Sequence, residues 1–145
     1  MKKVIFLLIT FFTFMIFAQE VKDSLKVTVS IEGFNNNKGF CRLLVFDNDE
    51  GFPEEPDFAI SVYSKKIKEN KCNFDINLTS GIYAITILHD ENSNEELDKT
   101  WYGKPTEGFG ISNNVKTRFG PPSYEESTVR IIKDPTELKI KMKYI

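Results

Sequence analysis

Hydrophobic and polar residues alternate with a period of two along most of this 145-residue chain. Leu25, Val27, Val29 and Ile31 take one parity; Lys26, Thr28 and Ser30 take the other. That is the pattern of a strand with one buried face. Residues 33–39 hold three consecutive asparagines between two glycines, which predicts a turn. Residues 40–46 predict a second strand, so the two strands are expected to form a hairpin. Residues 47–56 are rich in acids, Gly and Pro and predict a loop. Residues 57–66 predict a short helix or an irregular segment. Cys72, Phe74, Ile76 and Leu78 alternate cleanly with Asn73, Asp75 and Asn77. A tight turn at Thr79, Ser80 and Gly81 leads into a strand over residues 82–89. Two more strands are expected at residues 127–132 and 136–144. In the last, Leu138, Ile140 and Met142 alternate with lysines, as on an edge strand with one face in water.

About six to eight short strands with little helix give an all-β fold, a small antiparallel β-sandwich of transthyretin-like or immunoglobulin-like kind. Residues 90–122 form one long loop region. It contains Trp101, Tyr102, Phe109 and Phe119, which disordered segments tend to lack, so it is expected to be ordered. Leu78, Gly81 and Tyr83 have the spacing of a tyrosine corner, in which a ring packs near a turn and its hydroxyl bonds back to the chain.

Composition adds a compartment. Lys2 and Lys3 precede an apolar run ending at Ala18, the make-up of a secretory signal cleaved before Gln19. Ile16 stands where a small residue is preferred, and an uncleaved anchor is the alternative. No cysteine lies near the cleavage site, which excludes a lipoprotein signal. The expected organisation is a signal peptide over residues 1–18 and one domain over residues 19–145, periplasmic or secreted, with no integral membrane span in the mature chain. The hydrophobic fraction of 41% is enough for a packed core. The formal net charge of −2 falls to −4 once Lys2 and Lys3 are removed. A mildly acidic domain carries no electrostatic footprint for nucleic acid or anionic membranes. Cys41 and Cys72 each share parity with apolar neighbours. One disulfide and two inward-facing free thiols are both compatible with that pattern.

Candidate chemistry concentrates in one acidic stretch. Asp90, Asn92, Asn94 and Asp98 occupy relative positions 1, 3, 5 and 9, with the Glu96 carbonyl at position 7. Calcium takes oxygen ligands at such a spacing. Glu95 stands where such loops carry Gly, and Trp101 where a bidentate Glu closes the site. Glu107 or an acid among Asp47, Asp49 and Glu50 would have to close the shell. The alternative is an Asx-rich turn that bonds its own backbone. His89 is the only histidine, so a multi-histidine metal site is excluded. His89 and Asp90 are adjacent on a strand and point to opposite faces, which fits a structural histidine better than a catalytic base. Gly108 and Gly110 lack the lysine and helix of a phosphate loop. No serine lies in a G-x-S-x-G context.

The series L-x-x-G-x-Y-A (from Leu78), H-D-E-N-x-N-x-x-L-D (from His89), G-x-P-x-E-G-x-G-x-S-N-N (from Gly103) and F-G-P-P-S-Y-E-E (from Phe119) resembles the bacterial domain-of-unknown-function family 2141. The resemblance runs from about Leu25 to Tyr144 and is densest between Leu78 and Glu126. It implies an exported protein of this size with no established activity. The family's acidic loop usually reads D-E-N-x-N-G-x-x-D, and here Glu95 replaces its glycine. From these features the expected function is a non-catalytic binding or structural module with a weak calcium-binding loop. Trp101, Tyr102, Glu107, Phe109 and Tyr124 are its candidate surface for a carbohydrate or peptide ligand. The alternative is a carboxylate-dependent periplasmic hydrolase built on Asp90, Asp98 and Glu107.

Overall fold

The computed structural model describes residues 23–116 and 120–145. The expected signal segment and its expected cleavage site, and Phe119, lie outside the described residues. Eight strands form in chain order: β1 (Ser24–Glu32), β2 (Phe40–Phe46), β3 (Ser61–Lys65), β4 (Lys71–Thr79), β5 (Gly81–Asp90), β6 (Phe109–Ile111), β7 (Thr128–Ile131) and β8 (Thr136–Lys141). A single helical turn, α1 (Tyr124–Ser127), precedes β7.

The strands make an all-β sandwich of two sheets. One sheet has the order β4-β1-β8; the other has the order β3-β2-β5-β6, with β7 also paired to β5. The inner faces meet in one core of Val27, Val29, Ile31, Leu43, Val45, Phe74, Ile76, Ile85, Ile87, Ile131 and Ile140, all buried. Alternation forms this core directly, because every second residue of β1 and β4 points inward. Each such side chain contributes roughly 1.5–3 kcal/mol by leaving water.

Three expectations are corrected. β1 and β2 are not a hairpin: β1 pairs with β4 and β8, whereas β2 pairs with β3 and β5 in the other sheet. Residues 33–39 therefore cross between sheets. The reason lies in β2, which is buried on both faces and needs a neighbour on each side and a cover over its outer face. Residues 57–66 contain only a short 3-10 turn, Pro56–Phe58, and then the edge strand β3. The long loop is interrupted by β6, which pairs with β5. The sandwich also includes one parallel pair, β1 with β8, beside its antiparallel ones. β8 is an edge strand, as its lysines predict.

Cys41 on β2 and Cys72 on β4 are free, buried and inward-facing. The two thiols are neighbours and perturb each other: Cys72 and burial push the Cys41 pKa up, and Cys41 pulls that of Cys72 down. The expected tyrosine corner is present. The Tyr83 hydroxyl donates to the Thr79 carbonyl at 3.0 Å, and the ring is buried.

Candidate functional site

A second, smaller core lies outside the larger sheet. Residues of β2 and β5 with the other parity, Leu44, Phe46 and Leu88, are fully covered. Phe52, Ala59, Leu97, Phe109 and Tyr124, largely from the long loops, pack over them. The loops are thus held to the sheet by their own apolar residues. Tyr124 is spent on this packing, edge-on to Phe52 at 5.8 Å between centroids.

The acidic stretch leaves β5 at Asp90 and folds back on itself. The Asp90 carboxylate accepts from the amides of Asn94 and Glu95 at 3.0 and 3.1 Å. Asn92 and Asn94 donate their side-chain amides to the two oxygens of Asp98, at 2.7 and 2.8 Å. Their own oxygens accept from the amides of Asn94 and Glu96. The buried Glu107 carboxylate closes the loop at both ends, accepting from Glu91 N–H at 2.8 Å and Asp98 N–H at 3.1 Å. Of the acids suggested to complete the loop, Glu107 is the one that reaches it. Glu96 presents its backbone to this network and its side chain to solvent.

Glu95 adopts φ 72°, the left-handed conformation that the glycine of similar loops supplies. The departure from glycine therefore leaves the backbone shape unchanged and adds strain. It also adds an interaction. The Glu95 carboxylate lies 3.2 Å from the Arg42 guanidinium, which is also 4.0 Å from Asp90. Arg42 was missed in the sequence; a lone cation inside the apolar run of β2 is the signal that marks it. No cluster of three His, Cys, Asp or Glu side chains suited to a metal forms among the described residues.

His89 points inward, opposite to Asp90, as strand parity requires. Its ring is fully buried between Phe34 and Tyr144 and bonds to the Tyr144 hydroxyl and the Lys38 carbonyl. The glycine motif explains how Tyr144 reaches it: a Cβ on Gly108 would lie 2.4 Å from the Tyr144 ring. The Ser-Asn-Asn motif after β6 stitches elements together. Ser112 accepts from Ile85 N–H, Asn113 donates to the carbonyls of Glu126 and Thr128, and Asn114 bonds Lys139 and Lys141 of β8. Ser123 caps α1 in a reciprocal box with Glu126.

Between the outer face of β5 and β6 and the loops lies a cavity of about 860 Å³. Thr86, Leu88, Phe109 and Ile111 form its floor, and Leu97, Pro105 and Pro121 its apolar walls. Tyr102, Lys104, Lys99, Lys143 and Glu54 also line it. Lys99 is paired with Glu54, and Lys143 donates to the Val115 carbonyl. The Thr86 hydroxyl is buried and makes no hydrogen bond among the described residues. Beside the cavity, Trp101 is 95% exposed and meets Tyr102 edge-on at 5.2 Å. The candidate ligand residues thus divide. Tyr102 and Phe109 line the cavity, Trp101 stands next to it, and Glu107 and Tyr124 serve the loop and the small core.

No helix among the described residues is long and apolar enough to cross a membrane. Comparison with curated proteins and with solved structures returns no match. The family model described as an uncharacterized protein conserved in bacteria, DUF2141, matches residues 29–139, and the chain belongs to that family.

Proposed function

We propose that this protein is a non-catalytic binding module of the bacterial cell envelope that holds a peptide by an apolar side chain. The carrying observation is the cavity of about 860 Å³ whose otherwise apolar floor holds the buried Thr86 hydroxyl, which makes no hydrogen bond among the described residues. Pockets of that size with apolar walls and few polar groups suit an inserted apolar group. Lysines 99, 104 and 143 along its lining favour an acidic residue beside that anchor. Trp101 and Tyr102 supply an exposed aromatic contact, which binding surfaces favour and solvent does not. A sugar site would be expected to set carboxylates and amides around a flat ring, and the lining offers only Glu54. The hydrolase alternative places its acids elsewhere: Asp90 and Glu107 each give both oxygens to backbone amides, and none of Asp90, Asp98 and Glu107 lines the cavity. Export rests on the Lys2, Lys3 and apolar-run pattern of the first 18 residues.

Trp101 is the only tryptophan, so its fluorescence reports on the cavity lip directly. Titration with a panel of peptides carrying a Leu, Phe or Trp flanked by acids should shift that emission saturably. Calorimetry with Trp101→Ala should then show roughly tenfold weaker binding, the usual effect of losing an aromatic contact of 1–2 kcal/mol. Saturable binding of oligosaccharides but of no peptide would overturn the proposal.

One observation favours calcium as a second ligand. The φ of 72° at Glu95 and the two amides donated to Asp90 reproduce what positions 1 and 6 of a calcium loop do. Asp90, Asn92, Asn94, the Glu96 carbonyl and Asp98 would hold the ion, with Glu107 as the closing acid. The two asparagine amides would have to turn their oxygens inward. Affinity would be in the extracellular range, about 10⁻⁴–10⁻³ M, and millimolar calcium would add roughly 0.4–1.4 kcal/mol. Thermal unfolding in chelator and in millimolar calcium, with magnesium as control, tests this. Asp98→Asn should remove the calcium increment; an unchanged midpoint for the unsubstituted protein would leave the loop a hydrogen-bonded turn.

A further inference from the structure

We propose that Cys41 and Cys72 are a redox pair that closes into a disulfide joining the two sheets of the sandwich. Cys41 belongs to β2 of the larger sheet and Cys72 to β4 of the smaller one. Both side chains face the shared core, where the two thiols are neighbours. Sandwich layers ordinarily lie about 10 Å apart, too far for most cysteines on facing strands to join.

Here the chain itself draws the layers together. β3 ends at Lys65, the register partner of Cys41, and β4 begins at Lys71, next to Cys72. Residues 66–70 make the whole crossing and close it with paired backbone bonds between Lys68 and Lys71. The Lys65 ammonium then donates to the carbonyl of Asn73 at 2.8 Å, tying the partner of Cys41 to the neighbour of Cys72. The two thiols therefore sit where the sheets are held together from both sides.

The chemistry is a thiol–disulfide exchange with a small disulfide oxidant. The Cys72 thiolate, favoured by the neighbouring Cys41 thiol and by the Lys65 charge, attacks one sulfur of the oxidant and releases the other as a thiolate. The Cys41 sulfur then attacks Cys72 in the mixed disulfide and releases the second oxidant thiol. Two S–H bonds break and one S–S bond forms. The two protons and two electrons end on the oxidant, which becomes two thiols.

The experiment is to refold the reduced full-length domain in a buffer of oxidised and reduced glutathione, then quench with acid and alkylate. The expected product has lost the mass of two hydrogen atoms and binds no alkylating reagent. Proteolysis should yield one peptide pair joined through residues 41 and 72. The oxidised form should unfold at higher urea than the reduced form, because the bridge restricts the unfolded chain. Under the same buffer Cys41→Ser should accumulate a glutathione adduct on Cys72 that does not resolve. Both thiols remaining free in the folded, unsubstituted protein would overturn the proposal. So would glutathione retained on Cys72, or a disulfide found only between two molecules.

Discussion

The Tyr144 hydroxyl lies 2.6 Å from Nδ1 of His89, and through this contact the end of the chain is fastened to the middle of the larger sheet. The direction of each bond follows from its partners. The Lys38 carbonyl can only accept, so His89 Nε2 carries the ring proton and donates to it at 3.0 Å. Nδ1 then accepts from Tyr144, whose oxygen accepts in turn from the amide of Asn35 at 3.1 Å. The lone histidine couples three segments.

Tyr144→Phe tests that coupling. It keeps the ring seated against Gly108 but leaves Nδ1 of a fully buried histidine without its donor. An unpaired buried polar atom costs roughly 1–3 kcal/mol. Urea unfolding should show a loss in that range. A loss within error would mean that His89 Nδ1 is satisfied elsewhere.

The same phenol makes stability depend on alkaline pH. Burial pushes Tyr144 above the ordinary phenol value, and burial does the same to Tyr124, helped by Asp47, Asp49 and Glu125. A pKa raised by folding means that the folded state holds the proton more tightly. The contribution is therefore complete below the unfolded value of about 10 and is lost as pH rises through the folded value. Melts should be insensitive to these groups near neutrality and should weaken above about pH 10. Tyr144→Phe should flatten part of that decline; an unchanged alkaline limb would assign it to other groups.

What the sequence revealed of this fold follows from which physical signals are local. β1 and β4 were visible because one face of each is buried and the alternation records it, and β5, buried on both faces, was visible as a nearly continuous apolar run. β3 was not, because as an edge strand it sends only Tyr63 against the core. β6 has three residues with Gly110 in the middle, too few to show a period. The false hairpin of β1 and β2 arose because pairing is a property of two distant segments, and proximity in sequence says little about it. In the candidate site, the Asx turns of the acidic stretch were legible in its spacing. Arg42 and Thr86 were not, since their significance depends on what lies above the outer face of the sheet.

Tyr83 separates a hydrogen bond from its ring. Its hydroxyl bonds the carbonyl of Thr79 and lies 3.0 Å from the Thr79 hydroxyl, while its ring is buried in the main core. Tyr83→Phe should cost about 1 kcal/mol, the net worth of an ordinary hydrogen bond. Tyr83→Ala adds a cavity and should cost roughly 3–5 kcal/mol. Equal and small losses in urea melts would show that the ring packs against nothing.

Asn114 ties β8 to the turn after β6. Its side-chain amide donates to the Lys139 carbonyl at 2.8 Å, and its oxygen accepts from Lys141 N–H at 2.7 Å. Its φ of 51° lies in the left-handed region, where asparagine is tolerated better than most residues. Asn114→Asp keeps the acceptor but sets a carboxylate against a carbonyl. Asn114→Ala loses both bonds and suits the backbone less well. Both should destabilise by about 1–3 kcal/mol. Hydrogen exchange should quicken first at Lys141; unchanged protection there would place the anchor of β8 elsewhere.

Thr86 yields the prediction most specific to the cavity. Its hydroxyl is buried on the floor and makes no hydrogen bond among the described residues. Burying a hydroxyl without a partner costs roughly 1–3 kcal/mol. Valine has nearly the same shape, suits a strand, and removes that polar atom while leaving the methyl packing beside Leu44 and Ile111, the register partners of Thr86. Thr86→Val should therefore raise the stability of the free protein by about 1 kcal/mol, where an ordinary polar-to-apolar exchange in a satisfied core would lower it. Peptide binding should move the other way. If the ligand supplies the missing partner, valine leaves that ligand group unpaired, and affinity should fall about tenfold. The two measurements are independent, one a urea melt without ligand and the other a calorimetric titration. A destabilised variant would show that the hydroxyl already has a partner in the free protein. A stabilised variant with unchanged peptide affinity would leave the cavity as a binding site but remove Thr86 from the contact.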